Sequence, residues 1–140
     1  MNAEDRLEIL DLISRYSYAW DAKDAEGWAA LFLDDAVVST YAAGRLTAET
    51  RSHQERLTGA YARFYQFTQQ GIQTRHYQTN TVLEELADGA VQGRTLLAVI
   101  WQYSDRPEPK LMRSGMYLDR FVRTPSGWKF ANREIRIDHS

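Results

Sequence analysis

Four residues of this chain have side chains that could together remove a proton from carbon. His76 stands in the segment "RHYQTN", at the start of a predicted strand, and Asp21 stands at the end of a predicted helix. A carboxylate beside an imidazole fixes its tautomer and stabilises the imidazolium, so the pair can act as a general base near neutral pH. Arg133 and Tyr16 are candidates to stabilise the negative charge that proton abstraction builds on a substrate. The four residue types therefore suit abstraction or elimination without a metal.

Each of these residues also has an ordinary structural interpretation. A single histidine on a strand is more often a packed residue than a catalyst, and Asp21 in "WDAKD" could simply make a turn. Arg133 lies in the charged run "NREIRID", which is typical of a solvated strand edge, and a helical tyrosine such as Tyr16 usually belongs to the core. The residues taken alone leave both interpretations open.

Motifs for metals and phosphate cofactors are missing from the sequence. The other histidines, His53 and His139, lie in polar surroundings, and no HExxH or paired spacing links any two of the three. The chain has no cysteine, and its glycines form neither a GxGxxG nor a P-loop pattern. We therefore expect neither a metal nor an organic cofactor.

The composition is that of an ordinary globular domain. Hydrophobic residues make up 44% and charged residues 26% of the 140 positions, with a formal net charge of −2. This length fits one domain, residues 1–140, and the charge gives no basic face for nucleic acid. The N-terminus lacks the apolar core of a signal peptide, and no segment has the roughly 18 apolar residues of a membrane span. We expect a cytoplasmic protein that binds neither nucleic acid nor membrane.

Helices are predicted in the N-terminal half. Apolar residues recur at spacings of three and four from Asp5 to Trp20, which predicts a helix with one apolar face. Asp24 can cap a short second helix through "AEGWAALF", with "VVST" beginning a strand, and a third helix is expected between Thr47 and Phe67.

Strands are predicted from "QTRHYQTNTVLEEL" onward. Four extended segments follow one another, separated by the turns "ADGA", "SDRPEPK" and "TPSG". Helices followed by an antiparallel meander indicate an α+β domain with helices packed on one face of a curved sheet. In such a meander His76 should lie level with Trp101 and Tyr103, then with residues 110–113, and then with residues 133–136.

Aromatic residues near this level predict a hydrophobic pocket. Such pockets for ring compounds are mostly apolar with a few placed polar groups. The expected substrate-binding residues are Tyr18, Trp20, Trp101, Tyr103, Met112 and Met116, although strand alternation lets only some of them face inward. Because strands such as "RTLLAVIW" offer apolar residues to both faces of the sheet, we also expect a homo-oligomer, a dimer or a trimer.

Three segments carry a family resemblance that covers nearly the whole chain. In order, "LISRYSYAWDAKDAEGWAALFLDDAVV", "RHYQTNTVLE" and "GMYLDRFVRTPSGWKFANREI" resemble the SnoaL-like branch of the NTF2-like superfamily. This branch includes scytalone dehydratase, bile-acid 7α-dehydratase and hexachlorocyclohexane dehydrochlorinase. The resemblance implies a cone-shaped α+β barrel in which N-terminal helices and a curved, mainly antiparallel sheet enclose one pocket.

The same resemblance implies roles for the four residues. In catalytic members an Asp at the end of the first helix pairs with a His on the third strand, and Asp21 and His76 match them. Arg133 matches an arginine on the last strand, and Tyr16 matches a tyrosine five residues before the Asp. The second histidine of scytalone dehydratase and the acidic residue of the bile-acid enzyme have no counterpart, since Val99 and its neighbours occupy that region. A specific dehydration is therefore not implied.

The leading hypothesis is a cofactor-independent lyase or isomerase, of dehydratase type, acting on a small hydrophobic ring compound through an Asp–His dyad. His76 would take the proton, Asp21 would orient it, and Arg133 with Tyr16 would meet the developing anion. Two alternatives remain: a non-catalytic small subunit of a ring-hydroxylating dioxygenase, and a protein that binds an apolar ligand without transforming it.

Overall fold

Helices precede most of the sheet in the computed structural model, which describes residues 1–139. The helices are α1 (Ala3–Asp21), α2 (Ala25–Ala29) and α3 (His53–Gln70). The strands are β1 (Phe32–Ala42), β2 (Arg45–Thr50), β3 (Ile72–Glu85), β4 (Val91–Tyr103), β5 (Lys110–Thr124) and β6 (Gly127–Ile137).

Helix α1 is fixed at its start by a capping box and along its length by one apolar face. Asn2 accepts a hydrogen bond from the backbone N–H of Asp5, whose carboxylate accepts one in return from the backbone of Asn2. Ile9, Ile13 and Tyr16 recur at helical spacing and are buried against the sheet. The helix ends at Asp21, so its last buried residue is the candidate catalytic carboxylate.

The six strands form one curved sheet in the order β2-β1-β6-β5-β4-β3. Neighbouring strands are antiparallel except β1 and β6, which are parallel. The sheet is not closed: β2 and β3 are its edges, and the helices cover its concave face. The predicted α+β fold, with N-terminal helices on a mainly antiparallel curved sheet, is confirmed.

Aromatic rings fill the space between the helices and the sheet. Tyr16 makes edge contacts with the rings of Trp28, Phe32, Tyr117 and Phe130, at centroid distances of 5.7–6.1 Å. Such pairs are worth about 0.5–1.5 kcal/mol each beyond their burial. This packing fixes the middle of α1 against the sheet, and with it the position of Asp21 one and a half turns later.

Two element boundaries differ from the sequence prediction. The third helix was expected from Thr47, but residues 45–50 form β2 and the helix begins only after Ser52, whose hydroxyl accepts from the N–H of Glu55. Helix α2 ends at Ala29 and strand β1 begins at Phe32, so the second helix is shorter than the predicted segment "AEGWAALF" and the strand starts before the predicted "VVST". Asp34 and Asp35, near the start of β1, are exposed. These charged residues obscured the strand in the sequence, because only some of its side chains are buried.

The register of the meander is only partly as predicted. His76 pairs with Val99, and Val99 pairs with Arg113, so this level of the sheet is close to the expected one. Arg133, however, pairs with Asp119 and not with a residue near Arg113. The tight β5–β6 turn fixes which residues of the two strands are paired. Strand β6 is also central, so the interpretation of Arg133 as part of a solvated sheet edge is wrong.

The outer face of the sheet carries apolar side chains that are exposed in the monomer, among them Tyr77, Leu96, Leu111 and Met112. The homo-oligomer expected from the sequence stays a prediction. Across residues 1–139, no helix combines the length and the apolar character that spanning a membrane requires.

Candidate active site

A cavity of about 470 Å³ lies between the three helices and the concave face of the sheet. Its volume is that of an ordinary small-molecule site. Helices and strands both contribute to its wall, which includes Tyr16, Trp20, Trp28, His76, Leu97, Val99, Trp101 and Tyr117. Most of these side chains are apolar or aromatic, so the wall suits a hydrophobic ring.

Asp21 and His76 meet at this cavity. Oδ1 of Asp21 lies 2.7 Å from Nδ1 of His76, and Oδ2 accepts a hydrogen bond of 2.9 Å from the His76 backbone N–H. The hydroxyl of Thr74 donates to Oδ1 of Asp21 at 2.8 Å. The carboxylate is 7% exposed and the imidazole side chain 14%. Three hydrogen bonds therefore hold the Asp21 carboxylate, two of them from the residue that it orients.

The two elements that carry the pair are joined by a second contact. Strand alternation places Thr74, His76 and Gln78 on the same face of β3. The amide group of Gln78 donates to the backbone oxygen of Ile13 at 2.9 Å and to the hydroxyl of Ser17 at 2.7 Å, both on α1. This bridge aligns the C-terminal end of α1 with β3 and so sets the distance between the Asp21 and His76 side chains.

The arrangement defines what the imidazole can do. With its carboxylate acceptor next to Nδ1, the neutral ring carries its proton on that nitrogen. The opposite nitrogen, Nε2, then bears a lone pair, and His76 lines the cavity. A ring with this tautomer can accept a proton at Nε2, and Asp21 stabilises the resulting positive charge.

Arg133 is fully buried and does not line this cavity. Its guanidinium donates to both carboxylate oxygens of Asp119, at 2.8 and 3.0 Å, and to Oε1 of Gln78 at 2.7 Å. Burial by itself lowers the pKa of Arg133, but Asp119 outweighs it and raises the pKa above the usual value. Its central carbon lies 3.5 Å from the ring centroid of Tyr117 and 4.2 Å from that of Tyr16. Arg133 thus contacts two tyrosines that line the cavity without lining it itself, and its predicted contact with a substrate stays a prediction.

Tyr16 and Tyr117 are the phenols of the cavity wall. Burial raises the pKa of Tyr16, and it raises that of Tyr117 well above its usual value, although the charge of Arg133 acts in the opposite direction. Both hydroxyls therefore keep their protons at neutral pH. A protonated phenol is a hydrogen-bond donor, and both residues line the cavity.

The predicted pocket residues divide into two groups. Trp20 and Trp101 line the cavity, and Tyr103 packs against Trp101 at 6.3 Å without reaching the wall. Tyr18 is 80% exposed, because it lies on the face of α1 opposite Tyr16 and Trp20. Met112 and Met116 lie outside the cavity as well, since Arg113 and Tyr117 next to them in β5 take the inward positions.

Four residues of the site were missed in the sequence: Thr74, Gln78, Tyr117 and Asp119. Strand alternation was the available signal, because Thr74 and Gln78 share the face of His76, and Tyr117 and Asp119 share a face of β5. Nothing in the sequence indicated which face of β5 would turn inward.

Within residues 1–139, no group of three or more histidine, aspartate and glutamate side chains converges so that it could hold a metal ion. Asp21 is paired with His76, and Asp119 with Arg133.

Comparison with known proteins agrees with this architecture. The family model of the SnoaL-like domain matches residues 1–134. ActVI-ORFA from Streptomyces coelicolor is 21% identical, covers 96% of this chain and 98% of its own, and has a TM-score of 0.84. The β subunit of a candidate aromatic-ring-hydroxylating dioxygenase from Novosphingobium aromaticivorans is 20% identical over 95% and 88%, with a TM-score of 0.80. A candidate scytalone dehydratase from the same organism is 22% identical over 97% and 88%, with a TM-score of 0.76.

These structural similarities, at such identities, show an NTF2-like fold and no more. No curated protein sequence matches the chain at a significant level.

Proposed function

The chain belongs to the SnoaL-like family, and from this premise we propose that it is a cofactor-independent lyase or isomerase acting on a small hydrophobic ring compound. The reaction begins when His76 removes a proton from a ring carbon next to a carbonyl group. In an elimination, the electrons of the broken C–H bond form a double bond and a leaving group departs. In an isomerisation, the imidazolium returns the proton to another carbon.

One observation carries this proposal: the imidazole of His76 is hydrogen-bonded through Nδ1 to a buried carboxylate, and His76 lines a cavity. A histidine that only packs in a core has no need of a carboxylate held by three hydrogen bonds. Positioned general bases contribute typically 10²–10⁴-fold to a rate, and the pair has the geometry of such a base.

In this proposal the hydroxyl groups of Tyr16 and Tyr117 stabilise the negative charge that develops on the substrate. Removal of a proton next to a carbonyl group moves charge onto the carbonyl oxygen, which needs a donor at a fixed place. Tyr16 and Tyr117 are protonated and stand on the cavity wall. Arg133 acts behind them as a positioning residue: its charge lies against both rings and favours the build-up of negative charge at their hydroxyls.

The substrate class follows from the wall of the cavity. Trp20, Leu97, Val99 and Trp101 provide flat and branched apolar surface around His76. A volume of about 470 Å³ accommodates a ring system of one to three rings. The wall therefore supports a small, hydrophobic, carbonyl-bearing ring compound as the substrate.

The position of His76 also bears on the alternatives. A supporting subunit of a dioxygenase acts through the surfaces that contact the catalytic subunit rather than through an interior cavity. The similarity to one such β subunit concerns the fold and does not extend to function. A passive carrier of an apolar ligand needs no oriented base. An imidazole on the outer face of the sheet would have favoured these readings, whereas His76 lines the cavity.

The experiment that tests the proposal is a turnover screen with two variants. Ring compounds with a hydroxyl or halide β to a carbonyl are incubated with the protein, and products are followed by mass spectrometry. For any compound that is transformed, we expect His76→Ala to lower kcat by about 10²–10⁴-fold. His139→Ala serves as the matched control, because His139 is exposed and does not line the cavity, and it should leave kcat unchanged.

Turnover that persists at the wild-type rate in a folded His76→Ala variant would remove the mechanism. Tight binding of ring compounds with no turnover of any would favour the carrier, and copurification with a large iron–sulfur subunit would favour the dioxygenase partner.

A further inference from the structure

Among the charged residues of the cavity wall, positive ones outnumber negative ones. Besides His76, four ionisable groups that are charged at neutral pH line it: Glu49, Arg56, Arg63 and Arg113. Glu49 is already engaged, since its carboxylate accepts from Arg51 at 2.9 Å and from the hydroxyl of Ser39 at 3.0 Å. The three arginines therefore leave an excess of positive charge in a chain whose net charge is −2.

Arg56 is fixed by backbone groups. Its guanidinium donates to the carbonyl oxygens of Leu33 and Ala36, both at 2.6 Å, and to that of Asp34 at 3.1 Å. These contacts explain its burial in structural terms, because they hold the first part of β1 to α3. Arg56 adds to the positive potential but has little freedom to reach a ligand.

Arg63 and Arg113 have no comparable structural role. Within the part of the chain that the structure describes, neither guanidinium forms a salt bridge with a carboxylate. Arg63 donates to Gln66 at 3.1 Å, and its central carbon lies 4.5 Å from the ring centroid of Phe67 and 5.8 Å from that of Trp101. Burial lowers the pKa of Arg63, and the positive charge of Arg113 lowers it further. Two like charges thus line the same cavity.

The sheet register relates these arginines to His76. Val99 pairs with His76 on one side and with Arg113 on the other, so all three lie on one level of the sheet. Neighbouring strands are ~4.8 Å apart, which puts the backbones of His76 and Arg113 about 10 Å apart. His76 and Arg113 both line the cavity, and a ring system of one or two rings spans such a distance.

We propose that Arg63 and Arg113 form a subsite for an oxyanion, so that the ring compound bound in this cavity carries a carboxylate or a phosphate group. The group lies between the two guanidinium ions at the mouth, and the ring extends from there between Trp20 and Trp101 to His76. This inference adds a substrate class to the proposed function and rests on it only for the reaction, not for the binding. The excess of arginine also draws anionic ligands toward the cavity by long-range attraction.

The test compares two probes that differ in one charge. 2-Naphthoate and 2-naphthamide have the same rings and nearly the same shape, and their Kd values are measured by isothermal titration calorimetry. We expect the wild-type protein to bind 2-naphthoate at least ~10-fold more tightly than 2-naphthamide, as charge-assisted hydrogen bonds to a carboxylate require. A third probe, 2-naphthyl phosphate, distinguishes a carboxylate from a phosphate. The anionic probe with the lower Kd shows which of the two groups the subsite prefers.

Charge-removing variants connect this preference to the subsite. Arg63→Gln and Arg113→Gln should each reduce the ratio of the two Kd values, and the double variant should bring it close to one. Arg75→Gln is the matched control, because Arg75 precedes His76 in β3, is exposed and points away from the cavity. Its ratio should equal that of the wild type.

Three results would overturn the proposal: equal affinity for the two naphthalene probes, no binding of either at millimolar concentration, or a preference that survives in the double variant. The binding measurement is repeated with the Asp21→Asn variant, in which the proposed base is impaired, so that binding is tested separately from the reaction. An anion preference that persists there, whatever the fate of turnover, separates the subsite from the catalytic proposal.

Discussion

Replacement of Asp21 by asparagine should invert the tautomer of His76. The side chain of Asp21 accepts three hydrogen bonds: from the His76 backbone N–H at Oδ2, and from Thr74 and His76 Nδ1 at Oδ1. An asparagine has one acceptor oxygen and one donor group. The backbone N–H of His76 is fixed in the strand, so the side-chain oxygen of the asparagine must accept its hydrogen bond. The amide NH₂ of the asparagine must then face Nδ1. A donor at that place needs an unprotonated Nδ1, which moves the ring proton to Nε2.

The size of the effect follows from this exchange. The fold should survive, because the hydroxyl of Thr74 can rotate and accept from the amide, so that the number of hydrogen bonds is conserved. The charge-assisted character of the contacts is lost, which costs stability on the order of 1–3 kcal/mol. The rate of a reaction that needs a base at Nε2 should fall by about 10⁴-fold, the loss known for the analogous change in a Ser-His-Asp triad.

Nitrogen NMR provides the assay. Uniformly ¹⁵N-labelled protein at a pH where the imidazole is neutral shows which ring nitrogen carries the proton from its chemical shift and its coupling to ring protons. We expect His76 to carry its proton on Nδ1 in the wild type and on Nε2 in Asp21→Asn. Asp24→Asn is the control, since Asp24 caps α2 through Gly27, where asparagine is an equally good cap, and it does not contact His76.

The reasoning is refuted if the Asp21→Asn protein is folded and its His76 still carries the proton on Nδ1. It is equally refuted if the tautomer changes as expected while turnover of an identified substrate stays at the wild-type rate.

Three further predictions concern stability, each measured by denaturant or thermal unfolding of the variant beside the wild type. Arg133→Met leaves the buried carboxylate of Asp119 without its partner and should lower the free energy of unfolding by about 3–5 kcal/mol; a loss below ~1 kcal/mol would contradict the buried pair. Gly115→Ala drives a methyl group into a carbonyl oxygen of β6 and should cost about 1–3 kcal/mol, whereas Gly59→Ala, in open space within α3, should add about 0.5–1 kcal/mol. The backbone N–H of Asn2 and the indole of Trp128 hold the pKa of Asp5 below its usual value. The ionised Asp5 carboxylate therefore stabilises the folded state at neutral pH, and this stabilisation is lost as the pH falls through the folded-state pKa. Asp5→Asn should therefore melt below the wild type at pH 7, and the two melting temperatures should converge in acid.

Short-range signals in the sequence were enough for the α+β architecture. The spacing of Ile9, Ile13 and Tyr16 identified α1 and its buried face, and the turns after residue 85 identified the meander. The "ETRSHQER" segment was harder, because its polar residues hid the boundary between an exposed edge strand and an exposed helix start. Such a boundary depends on the Ser52 cap, which is one hydrogen bond and leaves no periodic signal.

The proximity of Asp21 and His76 was predictable, whereas the position of Arg133 was not. Helix α1 has one buried face, which packs on the sheet and so could bring its last residue close to β3, and the family resemblance pairs an Asp at the end of this helix with a His on the third strand. The level of Arg133 depends on a hairpin register and on two bulges, which change the pairing by a residue each and which side-chain periodicity does not reveal. Similarly, Tyr18 and Met116 are aromatic or apolar like true wall residues, and only the three-dimensional direction of each side chain separates them from Tyr16 and Tyr117.

Deuterium exchange into a ring ketone tests the central claim most directly, because it detects removal of a carbon-bound proton whatever bond is broken afterwards. 2-Tetralone is incubated in D₂O with wild-type protein and with His76→Ala, and loss of the proton signals next to the carbonyl group is followed by NMR. We expect exchange well above the buffer rate with the wild type and a return to the buffer rate with His76→Ala. Exchange at equal rates with the two proteins would contradict the assignment of His76 as the base.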